Sequence, residues 1–329
     1  MTNKPSKLVD FVHKTLSVKP NAHWKAADYA TLVGITSRYN TYAETVNSKG
    51  MPNADTLHYR IEQDTTVQTL QEAFQKLMEK QLKKLRRRKA IVIVDYTCEP
   101  FFGHTQSEWL HGYRSSNGSR GCYKILAASI LAGKERYFVY AKPVPVIADE
   151  TLELWQILAH LETLGIRIKV LLMDRGLAKN AENLALLETF HIKYLGLFPK
   201  YRNIKKIIKG MKHAYKNRKF SVKGVPTRLV IGKDVKRKFA WVFVTNLEEN
   251  EFMTYLRLYK RRWNIETGFR VHDEARIRTK SINIRVRFFL FLVALVLYNM
   301  WKILGMPTPF KRFVIGQKWC VECVDRRPT

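Results

Sequence analysis

Two aspartates, Asp95 and Asp174, each close a strongly apolar run: Ala90-Ile91-Val92-Ile93-Val94 before the first, Ile166 to Met173 before the second. Runs that are apolar on both faces read as buried strands. Acids at the ends of neighbouring strands can face one another. Close carboxylates repel and take up protons unless a cation neutralises them. Mg²⁺ is the natural partner, being hard and content with one or two carboxylates plus waters and phosphate oxygens. Either acid alone reads as an ordinary turn residue; the two together point to a paired carboxylate site. The third candidate is the segment from Tyr259 through Arg262 and Glu266 to Arg270. On a helix these four fall within about 80° of arc, so one face offers a phenol, two guanidiniums and a carboxylate. The spacing suits equally an amphipathic helix with an i,i+4 pair, Arg262–Glu266, and the residues alone leave both readings open.

The chain around these residues is basic. Lys+Arg number 58 against 28 Asp+Glu over 329 residues, a formal charge of +30. Such an excess speaks about partners rather than fold, and nucleic acid is the commonest polyanion a basic protein meets. An apolar content of 46% excludes a disordered basic tail protein. The run Lys83, Lys84, Arg86, Arg87, Arg88 stands just before the first apolar run, where backbone-phosphate contact is the alternative to a solvated linker. Cys98, Cys122, Cys320 and Cys323 are few, and no secretory signal is recognisable, so a reduced cytoplasmic setting is expected. Cys320 and Cys323 form a C-x-x-C without a second ligand pair nearby, and a structural zinc usually needs four ligands. His104 and His111 read as solvent-facing loop histidines, and Trp241 and Trp263 as packing residues that could also stack on an extruded base. The stretch from Phe288 to Trp301 is short of the roughly 20 apolar residues that span a bilayer and reads as a buried core helix; no membrane partner is expected.

The elements that must position these groups follow in order. Residues 1–85 are helical in pattern and form a candidate DNA-binding domain, with two short helices around Gly50 compatible with a helix-turn-helix. Residues 86–199 open with the Asp95 strand, then strands over 123–131 and 136–144 and a helix over 152–164. The Asp174 strand, a helix over 180–190 and a strand over 192–198 complete them. Three meandering strands followed by helix, strand, helix, strand is the order of the ribonuclease-H-like fold, an α/β class with a mixed sheet flanked by helices. Residues 200–250 begin as a basic segment and continue as a β-rich insertion. Residues 251–305 carry the Glu266 helix and the apolar helix, and 306–329 read as a C-terminal tail.

The pattern Tyr259-x-x-Arg262-x-x-x-Glu266 resembles the Tyr/Arg/Glu signature of the DDE transposases of insertion sequences, the IS-four-type group. Asp95-Tyr96-Thr97, Asp174-Arg175-Gly176, Phe102-Gly103, Gly112-Tyr113-Arg114, Gly121-x-Tyr123 and the closing run Arg285 to Leu304 resemble the same group, over roughly residues 50–304. The resemblance implies a core in which Asp95, Asp174 and Glu266 hold two Mg²⁺ (or Mn²⁺) ions that activate the attacking and leaving oxygens. It implies cut-and-paste transposition: cleavage at inverted-repeat ends and strand transfer into target double-stranded DNA by a homodimer, in a prokaryotic, nucleoid-associated setting. Tyr259 and Arg262 would contact phosphates near the transposon end. The family pattern often places Lys seven residues after the Glu; here that position is Asp273, and Arg270 is the nearest cationic substitute. The same acids would also serve a ribonuclease-H-like nuclease or resolvase without strand transfer, and a DNA-binding protein that kept the fold alone is the other alternative.

Overall fold

The computed structural model describes residues 6–19, 22–46, 50–86, 88–112, 118–133, 135–234 and 239–317. Arg87, Tyr113, Arg114, Cys320 and Cys323 lie outside the described residues.

The chain begins with α1 (Ser6–Thr15), α2 (Ala26–Tyr39), α3 (Ala54–Asp64) and α4 (Val67–Gln81). Leu8, Phe11, Val12 and Leu16 form the buried stripe that makes α1 amphipathic. The Asn53 side chain caps α3, accepting from Thr56 N at 2.8 Å, and Thr66 caps α4. After α2 the chain makes a 3₁₀ turn at Ala43–Thr45, and the backbone there pairs with distant Arg278 (Ala43 N to Arg278 O 2.9 Å, Arg278 N to Thr41 O 3.0 Å).

The chain continues with β1 (Lys89–Phe101), β2 (Leu110–His111), β3 (Gly121–Ala132), β4 (Glu135–Pro143), α5 (Glu150–Thr163), β5 (Arg167–Met173), α6 (Arg175–Ala178), α7 (Ala181–Thr189) and β6 (Tyr194–Leu197). Then come α8 (Arg202–Lys209), β7 (Tyr215–Val222), β8 (Val225–Asp234), β9 (Phe239–Thr245), α9 (Phe252–Lys260), α10 (Trp263–Asp273), α11 (Ile284–Ile303) and α12 (Phe310–Gly316). The strands form one mixed sheet in the order β2-β3-β1-β5-β6-β9-β8-β7, with β4 also on β3. β1 is antiparallel to β3 and parallel to β5, and β5 is parallel to β6. Parallel neighbours demand crossovers; α5 provides the one into β5, ending at Gly165 (φ 66°), the left-handed position that closes a helix. α6 and α7 lie between β5 and β6.

Three features differ from the sequence reading. The basic segment after residue 200 contains a helix, α8, whose one buried residue is Ile204. The β-rich stretch is hydrogen-bonded into the central sheet: β9 pairs with β6, and β8 and β7 extend it. Part of the expected tail folds as α12, burying Phe310, Phe313 and Val314.

α11 explains why residues 1–85 share a core with the sheet. Nearly every residue from Ile284 to Met300 is buried, and a helix that is apolar all round needs cover on every side. β4 packs on it from the sheet, and α1, α3 and α4 pack on it from the N-terminal half. Asn299, fully buried, ties α11 to β4: its Oδ1 accepts from Phe138 N at 3.0 Å and its Nδ2 donates to Phe138 O at 2.7 Å. Arg285 Nη1 donates to Glu62 O and Thr65 O at the end of α3. Among the described residues α11 alone is long and apolar enough to cross a membrane, and it is buried inside the fold.

Candidate active site

Asp95 enters the site because β1 is buried on both faces up to Val94 and turns polar there. In the parallel register with β5, Val94 stands beside Met173. One step further brings Asp95 abreast of Asp174, on strands roughly 4.8 Å apart. Asp174 is also the N-cap of α6, accepting from Leu177 N at 3.0 Å. A Cβ at Gly176 would stand 3.3 Å from both Asp174 carboxylate oxygens, a tight contact that would press on the carboxylate. The Asp-Arg-Gly sequence is thus a local device that orients one carboxylate.

The single helix assumed from Tyr259 to Arg270 is broken. α9 ends at Lys260 and α10 starts at Trp263, with Arg262 as N-cap of the second helix. α10 is pressed onto the core by Ile265, by Gly268, where a Cβ would meet the Phe138 ring at 2.9 Å, and by Phe269, whose ring lies tilted against Phe138 at 5.2 Å. His272 Nε2 bonds Phe291 O on α11 at 3.1 Å. This packing fixes the helix that carries Glu266.

Asp95, Asp174, Glu266, Tyr259 and Arg262 line one cleft of about 300 Å³. Arg262 is its hub. One guanidinium nitrogen donates to Asp95 Oδ2 and the other to Glu266 Oε1, so the i,i+4 pair foreseen as an alternative does form and is shared with a strand acid. Asp95 is 7% exposed. Its Oδ1 accepts from Tyr96 N at 2.9 Å. Burial pushes its carboxyl up to about 6, with Asp174 and Glu266 adding to the rise and Arg262 opposing it. Burial would lower the Arg262 guanidinium, but Tyr259, Asp95 and Glu266 outweigh it and the net direction is upward. Tyr259 is buried beneath Arg262, whose guanidinium carbon lies 5.5 Å from the ring centroid. Burial raises the phenol to about 12, and its hydroxyl has no hydrogen-bond partner among the described residues. A neutral donor at the cleft wall suits an incoming anionic oxygen.

The other sequence candidates sit elsewhere. Arg270 is exposed on α10 and does not line the cleft. Lys83, Lys84, Arg86 and Arg88 are exposed before β1, at the strand end away from Asp95 by roughly 20 Å. Asp273 pairs with Arg276 at 3.9 Å rather than with any cleft group. His111 Nε2 bonds Val144 O at 2.7 Å, and His104 bonds Arg120. Trp241 stacks on Phe243 at 5.9 Å in the packed layer, whereas Trp263 remains 44% exposed. Arg175 and Tyr96 also line the cleft. Both stood beside the two aspartates in sequence, which was the signal available to find them.

As metal donors, three carboxylates offer hard oxygens. Among the described residues no three acids stand close enough to hold a metal as they are, and the Arg262 guanidinium bridges two of the candidate acids. That two carboxylates already reach one cation is the observation that suits a metal. Asp95 Oδ2 would have to exchange Arg262 for it.

A mixed sheet flanked by helices, with one cleft lined by acids from the ends of two parallel neighbours and by a carboxylate from α10, is a ribonuclease-H-like architecture. Residues 86–300 match the transposase DDE domain family, and the chain belongs to that family. The fold is also that of the piggyBac transposase in a cryo-EM synaptic complex with hairpin DNA. The TM-score is 0.62 at 12% identity, over 94% of this chain and 76% of that one. No curated protein matches the chain. Its function is accordingly DNA transposition by a nuclease and transesterase, and transposases of this family depend on divalent metal ions.

Proposed function

We propose that Asp95, Asp174 and Glu266 are the catalytic acids of a cut-and-paste transposase and that together they hold two Mg²⁺ ions, with Mn²⁺ as a substitute. The observation that carries this reading is Arg262 bridging Asp95 and Glu266 in the cleft that Asp174 also lines. Bound there, the ions would supply activation of the attacking oxygen and stabilisation of the leaving one. The chain's own residues do the rest. Asp174, fixed by its α6 cap, holds its orientation without substrate. The Tyr259 hydroxyl, buried beneath Arg262, would become free to donate to a phosphate oxygen when Arg262 moves. Arg262, released from Asp95, turns to the DNA backbone as a bidentate donor. Arg270, Lys83, Lys84, Arg86 and Arg88 contact phosphates further along the duplex, and the same role is proposed for Arg87. The piggyBac structure is a synaptic complex; by analogy two copies of this chain would each engage one inverted-repeat end, in a prokaryotic nucleoid.

The test uses a duplex bearing the element's terminal repeats. Asp95→Asn, Asp174→Asn and Glu266→Gln should each reduce end cleavage and joining to background while duplex binding persists. Wild-type cleavage in any one of the three would remove that acid from the site.

A further inference from the structure

β1 runs on past the catalytic cleft. Alternation puts Asp95, Thr97, Glu99 and Phe101 on one face, and Glu99 stands roughly 13 Å from Asp95 at the strand rise. There a second cleft, of about 580 Å³, opens between the core and the strap that joins α10 to α11. Its floor is a built charge cluster. Glu99, 8% exposed, takes Arg276 Nη2 at 3.1 Å and Arg287 Nη1 at 3.3 Å. Arg276 Nη1 also reaches Asp273 at 3.9 Å, so two guanidiniums and two carboxylates balance there and the uncompensated charge of the cleft is that of its rim.

The rim combines cations with open rings. Arg278 and Lys280 are exposed, and neither side chain has an ion pair among the described residues. Phe102 is 62% exposed and Tyr42 38%. The strap that carries the cations is held in place by the Ala43 and Thr41 backbone bonds to Arg278 and by Thr279 Oγ1 on Glu44 at 2.8 Å. The site is therefore formed before any ligand arrives.

We propose that this cleft binds unpaired nucleotides of the DNA strand that continues from the scissile bond. Phe102 and Tyr42 stack on bases, and Arg278 and Lys280 meet phosphates. The inference rests on the transposase reading, which makes DNA the ligand, and adds where a single strand lies. A duplex conceals its base faces and would leave Phe102 without a role. An unpaired strand offers both the rings and the charges that this cleft is complementary to. The strand shared with Asp95 sets the spacing, a few nucleotides from the reacting phosphate.

The test is fluorescence anisotropy on the full chain, with a labelled oligo-dT of about ten nucleotides and a labelled duplex of about twenty base pairs. Phe102→Ala should weaken oligo-dT binding about tenfold or more, from stacking alone, with duplex affinity unchanged. Phe102→Trp should restore it. Arg278→Gln with Lys280→Gln should weaken oligo-dT binding and flatten its salt dependence. Unchanged oligo-dT binding by Phe102→Ala, or an equal loss for both probes, overturns the proposal. A wild-type chain that binds duplex but not oligo-dT overturns it alone; one that binds neither takes the DNA reading with it.

Discussion

Removing Arg262 leaves Asp95 inside the fold with no counter-charge on its Oδ2. Breaking a buried pair at one partner costs roughly 3–5 kcal/mol. Half of the Glu266 side chain is open to solvent, so that second pairing adds little, and the lower end of the range is expected. Arg262→Ala should therefore lower the urea midpoint at neutral pH without changing the slope of the transition. The cost belongs to the Asp95–Arg262 pair, so it should be smaller once Asp95 is Asn. A double variant as unstable as the two single variants added together would show that the two side chains do not interact. Under the proposed metal reading the same pair bears on binding, because the oxygen that Arg262 occupies is one of the proposed donors. Thermodynamic stability without metal and ligand capacity are thus opposed at a single atom.

The elements differ in how openly the chain announced them. The strands ending in Asp95 and Asp174 were legible because burial on both faces leaves an unbroken apolar run. α8 was legible and overlooked: Ile204, Ile207 and Ile208 stand at the i, i+3, i+4 spacing of a helix, but over only eight residues and among cations that read as a basic segment. The break between α9 and α10 was hidden: no Gly or Pro marks it, yet it turns Arg262 onto Asp95. The Glu99–Arg276–Arg287 cluster depends on β1, the strap and α11 meeting in space, which no local pattern reveals. α5 carries a testable consequence of such packing. His160, on its buried face, donates from Nε2 to Val139 O on β4 at 3.1 Å, and burial pushes its imidazole down to about 4. A folded pKa below the ordinary 6.5 means that the unfolded chain takes up the proton first. The contribution is fully present above about pH 6.5 and is lost as pH falls through about 4. The stability of wild type relative to His160→Gln should drop by up to about 3 kcal/mol between pH 7 and 4, read from urea melts at each pH. A pH-independent difference would mean that the imidazole is not held neutral by its burial.

At the scale of the molecule the excess charge is unevenly spread. Residues 189–233 contain no Asp or Glu and 13 of the 58 Lys and Arg. Arg202, Lys205, Lys206 and Lys209 on α8 are exposed, as are Lys216, Arg218 and Lys219 on β7. This surface forms the far end of the extended sheet. Lys200, at the start of this stretch, has its ammonium pushed down by burial and then by the charges of Arg175 and Lys205, and of these Arg175 lines the cleft. Mutual repulsion among unpaired cations is tolerable in a folded protein when a polyanion relieves it. Each phosphate neutralised releases condensed counterions, and the slope of log K against log salt is about −0.9 per contact on duplex DNA. Lys205→Gln, Lys206→Gln and Lys209→Gln combined should make that slope shallower by about 2.7 if all three touch the backbone. The fold should be unaffected, because all three side chains face solvent. The measurement is duplex affinity by anisotropy at several salt concentrations, with an unrelated sequence as well as the element's end. A backbone track predicts the same loss of slope on both duplexes. An unchanged slope would place the duplex on another face, and the acid-free stretch would then be basic for a reason other than DNA contact.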